Sequence, residues 1–103
     1  MLGTGKWECQ IDSMFFKGIV FITISDNNGE YVFNIEIPNE KIPEFEVFDV
    51  KTEGNTMSAK AKLEQLRDNE IELEITFNEN AFVGFMKIPF VGRVKLRDGK
   101  KIS

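Results

Sequence analysis

Few side chains in this sequence could perform covalent chemistry, and the one best suited to nucleophilic attack is Cys9. A thiol of this kind is activated by a histidine, a metal or a nearby positive charge. The 103-residue chain contains no histidine, which excludes Ser-His and Cys-His pairs and removes the commonest general base. We therefore expect Cys9 to be a small buried hydrophobic residue and the protein not to be an enzyme.

Carboxylates are plentiful, but their spacing does not predict a site. Glu70, Glu72 and Glu74 alternate with apolar residues, which is typical of the solvated face of a strand. The stretch DNNGE at residues 26–30 is faintly similar to a calcium loop, yet it lacks the ligand spacing and the distal bidentate glutamate. It is interpreted as a turn, and neither a metal nor another cofactor is expected.

The charge and the cysteine content limit which classes of partner and which cell compartment are expected. The formal net charge is −4, which argues against nucleic acid as the main partner. The charge is uneven, with seven acidic residues and two lysines from Glu30 to Glu53, and six basic residues and one aspartate from Lys87 to Ser103. We predict a cytoplasmic protein that does not enter membranes. The chain has a single cysteine, its apolar runs are short, and its strand-like residues begin too early for a cleaved signal.

The elements that must carry these side chains are strands. Apolar and polar residues alternate along most of the chain, with turn residues at roughly ten-residue intervals. We predict eight strands, at 6–12, 18–25, 30–37, 45–52, 56–63, 70–77, 81–88 and 91–97. They predict one domain over residues 1–103, an all-β, eight-stranded antiparallel up-and-down (meander) barrel. A helix over Ser58–Asn69 is the alternative for that segment, because its residues are good helix formers.

Two local irregularities are also predicted. Asn28-Gly29 is a strong signal for a type I′ hairpin turn, which needs positive φ at both central residues. The apolar face of the fourth strand changes sides between Val47 and Phe48, which indicates a bulge or bend.

The basic last strand is interpreted as the place where the barrel closes. Arg93, Lys95 and Arg97 would then lie beside Glu8 and Asp12 of the first strand, and facing opposite charges stabilise a sheet. A binding patch is the alternative.

The start of the first strand carries a family resemblance. Gly5-x-Trp7, opening a small antiparallel barrel, resembles the calycins, the group of lipocalins, fatty-acid-binding proteins and avidins. The later stretch EGNT…IELEITFNENAFVGFMKIPFVG is similar to compact calycin-like domains of bacteria. The resemblance implies that Trp7 closes the floor of the barrel and that a basic residue near the end of the last strand, Arg97 or Arg93, packs across it.

The barrel interior is the candidate ligand site. Eight strands enclose a space that side chains just fill or that holds one small ligand, and the many large apolar residues favour a filled core. Space is expected only near Gly84, Gly92, Ala59 and Ala61. A ligand would be small and mostly apolar, with Tyr31 as its hydrogen-bonding group. The residues that could contact it are Trp7, Tyr31, Phe33, Phe77, Met86 and Arg93.

Met14, Phe15 and Phe16 form an apolar link where a polar hairpin tip is expected. They are interpreted as a lid over the barrel end, as a homodimer contact, or as the edge of a ligand entrance.

These observations favour a non-catalytic module that acts through protein contact or self-association. Binding of a small apolar ligand inside the barrel is the alternative. An enzyme is the third possibility, for which the calycin resemblance implies a metal-free site of Tyr31, Arg93 and an acidic residue such as Asp12.

Overall fold

A computed structural model of the chain describes residues 2–12, 17–38, 45–63 and 69–103. These residues form eight antiparallel strands in one nearly closed barrel, which confirms the predicted fold class. The strands are β1 Gly5–Asp12, β2 Lys17–Asn27, β3 Glu30–Glu36, β4 Phe45–Glu53, β5 Thr56–Leu63, β6 Glu70–Asn78, β7 Ala81–Ile88 and β8 Gly92–Lys101.

The first and last strands pair in the middle of the sheet. The strand order is β3-β2-β1-β8-β7-β6-β5-β4, so every neighbour is a hairpin partner except the β1–β8 pair. The two edges of the sheet are β3 and β4, which approach each other across the barrel without a ladder among the described residues. We call this gap between β3 and β4 the seam. It lies opposite β7 and β8 in the ring of strands.

Alternation of apolar and polar residues decides which side chains enter the barrel. On β6, Ile71, Ile75 and Phe77 are buried while Glu72 and Glu74 are exposed. On β5, Met57 and Ala59 are buried in the same way. The strand prediction is therefore confirmed for Thr56–Leu63 against the helical alternative.

The β2–β3 connection is the predicted tight turn. Asn28 has φ 56° and Gly29 has φ 90°, as a type I′ turn requires. The Gly29 backbone N–H donates a hydrogen bond of 2.8 Å to Oδ1 of Asp26, so this carboxylate stabilises the turn.

Two strands depart from regular pairing. The register of β4 against β5 shifts between Phe48 and Lys51, and Asp49 has φ 51°; this irregularity lies beside the predicted one. On β8, extra residues around Asp98 and Gly99 shift the register against both neighbouring strands. The bulge in β8 was not predicted.

The core is built from apolar side chains of β1, β2 and β5 to β8. Its buried members are Trp7, Cys9, Val20, Ile22, Ile24, Met57, Ala59, Ile71, Ile75, Phe77, Phe82, Val94 and Leu96. Half-buried side chains pack against this core from both sides of the seam, among them Tyr31 and Phe33 of β3 and Val50 of β4.

Candidate functional site

Trp7 lies at one end of the barrel in a cluster with two phenylalanines. Its ring centroid is 5.0 Å from that of Phe77 and 5.6 Å from that of Phe82. The Trp7 and Phe82 rings meet edge to face, one of the arrangements that aromatic rings prefer. Trp7 is buried in the core with 3% of its surface exposed.

Residues before β1 cover the same end. Nε1 of Trp7 donates a hydrogen bond of 2.8 Å to the carbonyl of Gly3, and the Tyr31 hydroxyl donates one of 2.9 Å to the carbonyl of Leu2. A Cβ atom at Gly3 would lie 2.5 Å from the Phe77 ring, so only glycine allows this close approach. The polar groups of Trp7 and Tyr31 are therefore satisfied within the chain.

Among the described residues, Lys101 places its Nζ over the Trp7 ring, 6.0 Å from the ring centroid. The expectation that Arg97 or Arg93 packs across Trp7 is therefore wrong. β8 continues past Arg97, and its register aligns Lys101 with Trp7, whereas Arg97 lies opposite Gln10.

Five of the six proposed ligand contacts face the core and one does not. Trp7 and Phe77 are buried, and Tyr31, Phe33 and Met86 are half-buried against the core. Arg93 lies on the outer face, exposed, with its guanidinium carbon 4.1 Å from the centre of the Phe85 ring. Its predicted place in the interior is wrong, because it alternates with the buried Val94 on β8.

The residues of the implied metal-free enzyme site are not brought together. Tyr31 points to the core and Arg93 to solvent, while Asp12 is exposed and its carboxylate lies 3.6 Å from Nζ of Lys17. Among the residues that the structure describes, no group of three or more histidine, cysteine, aspartate or glutamate side chains could hold a metal ion.

The space expected near two glycines does not exist inside the barrel. A Cβ atom at Gly84 would lie 2.5 Å from the Glu74 carbonyl and 3.2 Å from Cα of Ile75. Gly92 has open space around it, but it is exposed at the start of β8. Packing is therefore tight where β6 and β7 meet, and neither glycine provides a cavity in the core.

Cys9 lies in the interior with 0% of its surface exposed. Burial and, secondarily, the neighbouring Glu8 carboxylate raise the pKa of its thiol to about 11. At neutral pH the thiol stays protonated, so Cys9 is a poor nucleophile.

Phe90, which was not singled out in the sequence, is the most exposed of the large apolar residues in the described part of the chain. It lies at the tip of the β7–β8 hairpin with 95% of its surface exposed and φ 68°. The Val91 N–H donates a hydrogen bond of 3.1 Å to the carbonyl of Ile88, so Phe90 is the third residue of a β-turn that has Pro89 second. This is the type II pattern, in which the third position normally holds glycine or asparagine.

The signal for this tip was present in the sequence Pro89-Phe90-Val91-Gly92. Proline favours the second position of type I and type II turns, so this short link predicts a turn with Phe90 as its third residue. The predicted apolar link Met14, Phe15 and Phe16 lies outside the described residues, so its three interpretations stay predictions.

In comparisons with protein-family models, curated proteins and solved structures, the chain matches none of them. In the described part of the chain, no helix has the length and apolar character needed to cross a membrane.

Proposed function

We propose that this protein is a non-catalytic barrel that acts by contact with another protein and that Phe90 is the contact point. The carrying observation is the exposure of Phe90, 95%, on a backbone with φ 68°.

A phenylalanine at this position lowers the stability of the fold. For residues other than glycine, the left-handed region costs about 1–2 kcal/mol, and asparagine tolerates it better than an aromatic residue. The exposed ring has almost no packing within the chain to offset this cost. Contact with a partner would bury the ring and supply that compensation, since buried aromatic side chains are frequent anchors of interfaces.

The remaining surface and interior support this proposal. Val83, at 68% exposed, adds a second apolar side chain on the outside of the same hairpin. Inside, the hydroxyl of Tyr31 is bonded to Leu2 and the thiol of Cys9 is protonated, so both polar groups are occupied or inert.

We also propose that the barrel is calycin-like. The Gly5-x-Trp7 opening and a cation over Trp7 support this classification, with Lys101 in the role that the resemblance gives to an arginine. A single buried thiol is compatible with the reducing cytoplasm, which we propose as its location.

The test substitutes Phe90 by asparagine and measures stability and contact separately. F90N should unfold at a higher urea concentration than the wild type, because asparagine removes the strained aromatic residue from the turn. A photo-crosslinking phenylalanine analogue at position 90, in cells that make the protein, should give discrete cross-linked species. The same analogue at Ile102, which is 41% exposed, is the matched control.

The proposal is overturned if position 90 yields no more cross-linked product than position 102. It is equally overturned if F90N lowers stability, since Phe90 would then serve the fold and not a partner.

A further inference from the structure

Three cations of β8 lie on one side of the barrel wall. Arg93, Lys95 and Arg97 are all exposed and alternate with the buried Val94 and Leu96. With side chains of β6 and β7 they line a surface groove of about 500 Å³. We call this surface the basic wall.

The floor of the groove is partly apolar. Val83 and Phe85 of β7 line it, and the Arg93 guanidinium stacks on the Phe85 ring. Exposed apolar side chains between cations give a surface that can bury area as well as attract charge.

The cations of the basic wall have no acidic partner among the described residues. The carboxylates predicted to pair with them are near other lysines: Glu8 lies 3.9 Å from Lys100, and Asp12 lies 3.6 Å from Lys17. Glu74 and Asp98 line the same groove, but neither forms an ion pair with a described cation. Arg93, Lys95 and Arg97 therefore do not pair with β1 as the sequence indicated, and the charge pair between the two strands is that of Glu8 with Lys100.

The opposite side of the barrel carries the opposite charge. The strands beside the seam, β3 and β4, expose five carboxylates and one lysine among the described residues. The carboxylates are those of Glu30, Glu36, Glu46, Asp49 and Glu53, and none forms an ion pair with a described residue. We call this surface the acidic wall. Because the seam lies opposite β7 and β8 in the strand order, one molecule presents the two walls on opposite sides.

We infer that the basic wall is a docking surface for the acidic wall of a second copy of this chain. Complementary charges steer association and fix orientation, and the two walls differ, so a symmetric face-to-face dimer would bring like charges together. The contact is therefore heterologous, head to tail, and it extends into chains or rings. It uses the side of the β7–β8 hairpin, which adjoins the Phe90 tip at Arg93, and it goes beyond the function proposed above.

Two variants test this inference by complementation. The first, R93Q/K95Q/R97Q, removes the basic wall and keeps the acidic one. The second, E30Q/E36Q/E46Q, does the reverse. In sedimentation velocity at low salt the wild type should associate, and each variant alone should associate at least about tenfold more weakly, a free-energy change of about 1.4 kcal/mol. An equimolar mixture should form a one-to-one heterodimer that grows no further, because each partner keeps one wall.

Two control variants distinguish this contact from a general effect of net charge and from the contact proposed at Phe90. E70Q/E72Q/E79Q removes the same number of carboxylates outside the acidic wall and should associate like the wild type. F90N should do the same, so failure of this inference leaves the Phe90 proposal standing. Raising salt should dissociate the wild type, because the screening length falls from about 30 Å at 0.01 M to about 10 Å at 0.1 M.

The inference is overturned if the wild type stays monomeric at low salt, or if the mixed variants do not pair. It is also overturned if the wild type remains monomeric while the basic wall binds an acidic peptide or single-stranded RNA, since the occupant would then be another molecule.

Discussion

Gly99 is the position where one added methyl group should damage the fold most selectively. It lies buried on β8 directly opposite Phe82, and a Cβ atom there would sit 2.5 Å from Cδ2 and Cε2 of the Phe82 ring. That ring cannot retreat freely, because Trp7 and Phe77 pack against it at centroid distances of 5.6 and 6.1 Å. The backbone at Gly99 has no positive φ, so the penalty of G99A is steric.

The expected magnitude follows from overpacking. Extra methyl groups in a filled core cost about 1–3 kcal/mol. With a urea dependence of about 2 kcal/mol per M for a domain of this size, a loss of about 2 kcal/mol lowers the unfolding midpoint by about 1 M. The fluorescence of Trp7, the only tryptophan, reports the transition from inside the affected cluster.

A double-mutant cycle identifies the contact. Phe82→Leu alone should cost about 1–2 kcal/mol through the cavity it leaves. In the F82L background G99A should be milder, by about 1 kcal/mol, because the ring it strikes is gone. Gly29→Ala is the matched control: Gly29 has φ +90° and nothing within 4 Å of the added atom, so its cost comes from the backbone and should be unchanged by F82L. Equal costs of G99A in both backgrounds, or no cost at all, would refute the reasoning.

The remaining predictions concern two titratable groups, the buried Cys9 and the half-buried Tyr31. Burial raises the pKa of Cys9 from 9.0 to about 11. At pH 8 the thiol should therefore react with a disulfide reagent only as fast as the folded protein opens, whereas in urea it should react at once. Fast stoichiometric labelling of the folded protein would contradict this prediction. Because the folded protein holds the Cys9 proton more tightly than the unfolded chain, the free energy of unfolding should fall as the pH rises from 9 towards 11. The C9A variant lacks the thiol and should lose less stability over that interval. Burial and, secondarily, the Asp26 carboxylate raise the pKa of Tyr31, so absorbance of the single tyrosine should show ionisation above pH 10 in the folded protein. Y31F should lower the free energy of unfolding by about 0.5–1.5 kcal/mol through loss of the hydrogen bond to Leu2, and a urea midpoint equal to that of the wild type would count against that bond.

The barrel was predictable because its information is local. Period-2 alternation separates Ile71, Ile75 and Phe77 from the glutamates between them, and Asn28-Gly29 determines its turn by backbone sterics alone. These signals need no knowledge of distant residues, and the resulting strand set and meander order are confirmed.

The errors arise where register depends on a distant neighbour. β8 continues to Lys101, past its predicted end at Arg97, so Lys101 takes the position over Trp7 that was predicted for Arg97. On β7 the inward residues were ambiguous, because Val83 and Phe85 on the outer face are as apolar as the buried Phe82. Arg93 was misplaced through the family resemblance, although simple alternation with Val94 places it outside.

The pairing of β1 with β8 has a consequence for the order in which the sheet can be assembled. The two ends of the chain meet in its interior, where the Lys6 N–H bonds to the Ser103 carbonyl at 3.0 Å and the Ile102 N–H to the Lys6 carbonyl at 2.8 Å, while the middle of the chain forms both edges. β1 thus gains its second neighbour only through the most distant contact in the sequence, and that contact carries the largest loop-closure entropy. A permuted chain that starts at β4 and ends at β3, with the present ends joined, would pass through the same sheet from edge to edge with hairpin contacts alone. In the permuted chain every ladder of the sheet would join strands that are neighbours in sequence. The β1–β8 ladder is long-range only because the present chain is open between these two strands.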